Sequence, residues 1–452
     1  MSGVFQSMGE KVGRFRPRDQ LLLIPEMNRI GSHLMAGAFR AFGVDARVME
    51  TYKGLDLGKE FTSGKECFPC QVTLGDILLH MRNEKERLGT RFDPRKYIYF
   101  MPESDGPCRF GMYNKYQRIV LDSFPELEEL KITSLTTTDG YAVDGIVEPK
   151  KATDFRKTAY LALVVGDVLD RLLWRVRPYE RQEGGADHLV EEAMNNLADS
   201  FARKGASGRR DGIIQELLAV VDAAKLLMDT RIPRKPLIGM VGEIYLRSHV
   251  GANQDLIRNL ERFGAEVVNA SIAEWVNYTT YAKAREVRAD LLHNLRLLRP
   301  GRIGEHLRRF LGYRLELAYQ ENRMDRVYRR VRERIDLAHD HKIGHLERIL
   351  LKEDFFSFSV GTEACLSIPG IISFAREGAD GVVNVFPFTC MPSTATSAVI
   401  RPLTVRFDIP YLDVPHDGTI QPGYQAKLRT FMYQAEQHAK KYARKGTRQG
   451  TS

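Results

Sequence analysis

This 452-residue sequence predicts an α/β protein made of two Rossmann-like parallel-sheet domains with helical insertions. Three observations carry that prediction. Short apolar strand-like runs alternate with helix-like runs over residues 1–150. The alternation gives way to purely helical spacing over 151–236, then resumes over 237–435. Strand–helix alternation implies parallel sheets covered by helices.

In the first unit, LLLIP (21–25) reads as a strand and RIGSHLMAGAFRAFG (29–43) as a helix capped by Gly43. DARVME (45–50) is a second strand, TLGDILLHMRNEKERLG (73–89) a helix that follows the first cysteines, and KYIYFMP (96–102) a strand running into a Gly-Pro turn. YQRIVLDSF (116–124) is helical and LKITSL (130–135) a strand. Residues 158–176 and 211–228 have helical spacing, interrupted by RQEGGAD and ARKGASGRRDG. RIPRKP (231–236) marks a boundary. The second unit opens with the strand LIGMVGEIYL (237–246), the helix NQDLIRNLERFG (253–264) and the strand AEVVNAS (265–271). A basic helical insertion of about 280–350 interrupts it. FFSFSV (355–360), GVVNVFPF (381–388) and IPYLDV (409–414) then read as strands, before a last helix and a polar tail over 436–452.

Composition narrows the function classes. Hydrophobic residues at 43% and charged residues at 28% are ordinary for a soluble globular chain. No apolar run reaches membrane-span length, and the N-terminus lacks a signal-peptide core. A cytoplasmic location is expected, with no membrane contact. Five cysteines are an odd, sparse set that reads as metal-binding, catalytic or buried, not as a disulfide framework. The net charge of +9 is concentrated: residues 283–352 hold 18 Lys and Arg against 10 Asp and Glu, a net of +8. That stretch reads as a solvated helical face or as a docking surface for an acidic protein or an anionic ligand. It contains no nucleic-acid-binding module, and its histidines His339, His341 and His345 read as surface residues.

No ATP site is expected. In GKEFTSGKE, Gly58 and Gly64 stand one residue too far apart for a P-loop, and Glu66 replaces the magnesium-binding Ser or Thr. G-x-G-x-x-G is absent.

The cysteines carry the chemistry. Cys67 and Cys70 form a Cys-x-x-Cys, Cys108 follows the strand YIYFMP, Cys390 follows GVVNVFPF, and Cys365 lies after FFSFSV. Loops after the carboxyl ends of parallel strands line the ligand crevice, so cysteines from both domains can meet there. Any one of them alone fits a buried thiol. A structural zinc site wants a second close pair, which is missing. A redox dithiol at Cys67–Cys70 stays open. Soft thiolates scattered singly over distant loops suit an iron–sulfur cluster. Arg109 could offset cluster charge. Glu66 could pass protons or support its loop, and Glu243 and Glu274 read as ends of strand–loop segments able to line the site or to pack.

TSGKECFPC with TLGD, MPESDGPCRFGMYN, VGEIYLRS, AEWVNYTTY and FAREGADGVVNVFPFTCMPSTATSA occur in that order. Together they resemble the iron–sulfur component of the 2-hydroxyacyl-CoA dehydratase and benzoyl-CoA reductase superfamily. More closely, they resemble the non-ATPase portion of acyl-CoA dehydratase activase-related proteins. The resemblance runs over about 20–430. It implies α/β domains enclosing a [4Fe-4S] cluster in the interdomain crevice, or, in some members, a double-cubane [8Fe-9S] cluster. It implies Cys67, Cys108 and Cys390 as ligands, with Cys70 or Cys365 as a candidate fourth. It also implies a separate ATP-hydrolysing iron–sulfur activator as electron donor, an acyl-CoA or other small substrate, and a homo- or heterodimer. Two other readings stay open beside it: an electron-transfer or scaffold component without its own substrate, and a zinc-stabilised binding protein.

Overall fold

The structure, a computed structural model, describes residues 8–136, 142–143, 145–297 and 300–444. It contains two parallel sheets flanked by helices. Strands β1 (Val12–Gly13), β2 (Leu21–Ile24), β3 (Ala46–Val48), β4 (Tyr97–Phe100) and β5 (Lys131–Thr133) form the first, in the order β1-β5-β4-β2-β3. Strands β6 (Leu237–Gly242), β7 (Glu266–Asn269), β8 (Gly381–Pro387) and β9 (Tyr411–His416) form the second, in the order β7-β6-β8-β9. Every pairing is parallel, as the alternating elements require. The strands are buried apolar runs: Leu22, Leu23, Ile98, Tyr99 and Ile132 in one sheet, and Ile238, Met240, Val382, Val383 and Val385 in the other.

The two sheets share one topology. The chain leaves β2 toward β3 on one side and toward β4 and β5 on the other; it leaves β6 toward β7 on one side and toward β8 and β9 on the other. Each sheet therefore has a switch point, between β2 and β4 and between β6 and β8. In such sheets a crevice opens beyond the strand ends at that point.

Helices α1 (Arg29–Ala41), α2 (Leu55–Glu60), α3 (Phe68–Leu88) and α4 (Tyr113–Leu121) belong to the first domain. Helices α5 (Ala152–Val176), α6 (Gly185–Lys204) and α7 (Arg210–Leu227) form the helical segment. One apolar core joins that segment to α1 through Ile30, Leu34 and Ala38. The contact is close because Gly37 lies against the Ala198 carbonyl, where an added Cβ would sit 2.3 Å from the oxygen. Helix α8 (Leu256–Arg262) follows β6. Helices α9 (Ile272–Arg296), α10 (Pro300–Arg332) and α11 (Ile343–Glu353) make up the basic insertion, and α12 (Ala364–Arg376), α13 (Met391–Arg406) and α14 (Tyr424–Arg444) complete the second domain. Among the described residues, no helix is long and apolar enough to cross a membrane.

The structure revises several boundaries. Helix α3 starts at Phe68, not Thr73, so Cys70 lies inside its first turn. Pro69 is tolerated there because the first helical N–H groups need no intrahelical partner. FFSFSV is not a strand. Phe358–Val360 is a 3₁₀ turn capped by Ser357, and Phe358 packs into the α11–α12 core, which leaves the second sheet with β6 to β9. Glu274 does not end a strand–loop segment but stands in the first turn of α9, capped by the Ser271 side chain at 2.9 Å. His339 and His341 are half-buried rather than surface residues: His339 packs edge-on to Tyr328, and His341 meets Glu377 at 2.5 Å. Helix α14 continues to Arg444, so the residues from 436 to there are helical; the rest of the expected tail lies outside the described residues.

Two contacts lock the domains together. His249 accepts the Ala252 amide on Nδ1 at 3.0 Å, so Nε2 carries the proton and donates to Thr51 Oγ1 at 2.8 Å. Thr51 in turn donates to Asp76 at 2.7 Å. Burial pushes the His249 pKa down to about 4, which keeps the ring neutral in this relay. At the crevice, Arg109 Nη1 donates to Thr389 Oγ1 at 3.2 Å.

Candidate functional site

Both switch points open into the same crevice. Cys108 follows β4 and Cys390 follows β8, so the two cysteines occupy equivalent places in the two sheets. Cys67 enters from the loop ahead of α3. The Glu243 carboxylate, just beyond β6, acts electrostatically on all three thiols. Glu363 acts on Cys108 and Cys390, and Cys67 acts on Cys108. The Arg109–Thr389 bond closes the loops next to Cys108 and Cys390 on one another.

Each of the three thiols stands at a helix start. Cys67 is the N-cap of α3, Cys108 the N-cap of the 3₁₀ turn Arg109–Met112, and Cys390 the N-cap of α13. Each sulfur receives a backbone N–H, from Phe68, Phe110 and Ser393 respectively, and Cys67 also receives the Tyr113 hydroxyl. Helix N-termini and amide donors favour the anionic sulfur. Burial acts more strongly: it pushes the Cys67 thiol up to about 12 and the Cys108 and Cys390 thiols further, with Glu243 and Glu363 adding to the shift.

The backbone is strained at the same place. Cys67 has φ 90° and ψ 145°, a region only glycine enters freely, and Thr389, just before Cys390, has φ 65°. Strain of this kind persists where the surroundings over-determine a functional geometry.

Half-buried Glu243 and buried Glu363 act on one another as a carboxyl pair. Glu243 accepts the Tyr245 and Leu246 amides at 3.1 and 2.9 Å, and Glu363 accepts the Ile244 amide at 3.5 Å. Burial raises both, and Glu363 raises Glu243 further, while Arg247 partly offsets the pair.

The remaining candidates lie elsewhere. Cys70 is fully buried beside Cys67 in the first-domain core, with Leu74 and Tyr99. Cys365 packs in the α11–α12 core and turns its thiol to the Phe358 carbonyl at 3.4 Å. Glu66 accepts the Ser63 amide and hydroxyl, both at 3.0 Å. Burial works to raise its carboxyl, but its hydrogen bonds outweigh that and hold it low, a loop-supporting arrangement. Glu274 is raised by burial and by Asp340, and its other charged neighbours are Arg247, Arg171 and His341 rather than the thiols.

A cavity of about 300 Å³ adjoins Cys108. Cys108, Tyr113, Glu243 and Glu363 line one end, and aromatic residues including Phe39, Phe100, Phe110 and Trp275 line its walls. Ser104 Oγ and Gln320 Oε1, both on its wall, are buried without hydrogen-bond partners among the described residues. A mostly apolar cleft with a few convergent polar groups is the usual form of a small-molecule site.

Glu363, Tyr113 and Arg247 are the site residues that sequence reasoning missed. Glu363 sits two residues before Cys365 at the start of α12, where an acidic residue ordinarily complements the helix dipole. Its tie to Glu243 is long-range and leaves no local sign. Comparison with known proteins adds no name to this arrangement: no family model matches the chain, and no curated protein does.

Proposed function

We propose that this chain is an iron–sulfur redox protein whose cluster is held by Cys67, Cys108 and Cys390, and that it acts on a small substrate in the adjoining cavity. The observation that supports this most is that three cysteines, each from a separate loop and drawn from both domains, all feel the charge of the one Glu243 carboxylate. The donor set fits the group. Three soft sulfurs and the carboxyls of Glu243 and Glu363 share the crevice, and among the described residues Arg109 and Arg247 are the cations that act on Cys67 and on the carboxyl pair, so full ionisation calls for a bound cation. Amide N–H groups aimed at the sulfurs are the contacts that tune cluster potential. A cubane spreads its thiolates over separate irons. Bound by three thiolates, a [4Fe-4S] cluster supplies a one-electron centre with one iron left open.

The chain's own groups have defined work in this reading. Tyr113 holds a hydroxyl proton at the Cys67 sulfur. Glu243 and Glu363, raised by burial, keep a proton at the inner end of the cavity. The aromatic walls exclude water and bind the apolar part of the substrate, for which an acyl thioester is the class the motif resemblance favours. With no phosphate-binding loop of a familiar kind, the low-potential electron comes from a separate ATP-hydrolysing activator. A cavity of this size beside Cys108 favours a substrate over a pure electron carrier.

Anaerobically purified protein is expected to be brown, with broad visible absorption that bleaches on dithionite reduction. A colourless protein carrying zinc in place of iron overturns the reading.

A further inference from the structure

The basic insertion is an antiparallel hairpin of α9 and α10. Lower down, Trp275, Thr279, Glu316 and Gln320 from these two helices line the cavity; further out the hairpin leaves the body of the protein. The seam between the helices is marked by Ala284, Val287 and Asn294 of α9 and by Leu317, Gln320 and Met324 of α10, all buried. With about 100° of rotation per residue, the other positions can be placed from that seam.

The placement gathers five exposed leucines on one side and keeps the carboxylates off it. Leu292 and Leu295 fall to one side of the α9 seam, and Leu307, Leu311 and Leu315 fall to the corresponding side of α10. Because the helices are antiparallel and both right-handed, these two sides form one continuous face. All five leucines are exposed, from 44% to 73%. Arg288, Arg296, Arg308 and Arg314 lie on or beside the same face and are exposed too. The four carboxylates over this span, Glu286, Asp290, Glu305 and Glu316, all fall on the opposite side. An amphipathic helix normally buries its apolar stripe and scatters both charges over its solvent side. Here the apolar stripe faces outward, fringed by cations alone.

We propose that this face is a docking site for an acidic protein segment presenting its own apolar helix stripe. Leucine burial supplies contact area, and the arginine fringe selects for carboxylates and sets the register. A second copy of this chain would set arginine against arginine across the contact, which disfavours self-pairing.

The test uses the full chain and two labelled synthetic amphipathic helices with the same leucine seam, one flanked by glutamate and one by lysine. Fluorescence anisotropy is expected to show saturable, salt-sensitive binding of the glutamate helix only. Leu307→Glu with Leu311→Glu should weaken it about tenfold or more, and Arg288→Glu with Arg314→Glu should switch the preference to the lysine helix, circular dichroism showing both variants folded. Failure of the wild type to bind the glutamate helix, or equal binding of both helices, overturns the proposal. So does self-association in sedimentation velocity that the leucine variant abolishes, or binding to phosphatidylglycerol vesicles without binding to the glutamate helix.

Discussion

Asp340→Ala is expected to destabilise the protein by about 3–5 kcal/mol, because it strands a buried arginine. Arg171 and Asp340 are both about 5% exposed or less and form a close ion pair. Arg171 is also the hub that joins three parts of the molecule. From α5 it donates to the Asn269 carbonyl at the end of β7, to the Tyr328 hydroxyl on α10 at 2.9 Å, and to the Ala338 carbonyl at 3.1 Å. Asp167, one turn earlier on α5, accepts the Ile272 and Ala273 amides at 2.8 and 2.9 Å and so caps α9. Without Asp340 the guanidinium keeps its neutral acceptors but loses its counter-charge where water cannot replace it. The joint between the helical segment, the second sheet and the hairpin then weakens as one unit. Urea unfolding of the wild type, Asp340→Ala and the apolar double variant Arg171→Met with Asp340→Leu checks this. The double variant should recover most of the loss, since an apolar pair of similar volume leaves no charge stranded. A loss below about 1 kcal/mol in Asp340→Ala would show that the pair is solvated in a way its burial does not suggest.

The second large effect is at Cys67, where two substitutions that both remove the thiol should separate. Alanine keeps the strained backbone of Cys67 at φ 90°; glycine relieves it. Relief is worth about 1–3 kcal/mol. Against this, glycine frees the unfolded chain at a cost of about 0.4–1 kcal/mol. The strain term wins, so metal-free Cys67→Gly is expected to be more stable than metal-free Cys67→Ala by about 1–2 kcal/mol. Denaturant midpoints read the order directly. The reverse order would mean that the loop before α3 relaxes and that no strain is held at this cysteine.

The elements legible in the sequence were those whose own residues decide them. The apolar runs at 21–24, 97–100, 237–242 and 381–387 are short and bounded by turn residues, and all four are central strands. FFSFSV misled because its aromatic–serine alternation mimics strand period, while the aromatic partners that draw Phe358 away from the sheet, Tyr278 and Tyr281, are nearly 80 residues distant. The start of α3 was hidden because Pro69 and the cysteine pair look like loop. The α9 cap was readable: Ser271 and Glu274 have capping-box spacing, and the strand-like AEVVNAS drew attention from it. At the site, the equivalent places of Cys108 and Cys390 followed from the strand ends they trail. Cys67, which precedes a helix, was singled out only by the motif resemblance, and the strand read before Cys365 is a 3₁₀ turn. The Glu243–Glu363 pair was not legible, because it depends on how the start of α12 meets the end of β6. The leucine face of the hairpin was equally hidden, since helical spacing reports an apolar stripe without saying whether anything covers it.

Iron and acid-labile sulfide per chain, measured on anaerobically prepared protein, bear most directly on the account. The wild type should hold iron and sulfide in equal amounts at about four of each, and Cys67→Ala, Cys108→Ala and Cys390→Ala should each lose most of both, whereas Cys365→Ala, whose thiol turns to Phe358, should keep them. Wild-type protein without iron, or full retention in all three of the first variants, would contradict a cluster gripped between the two sheets.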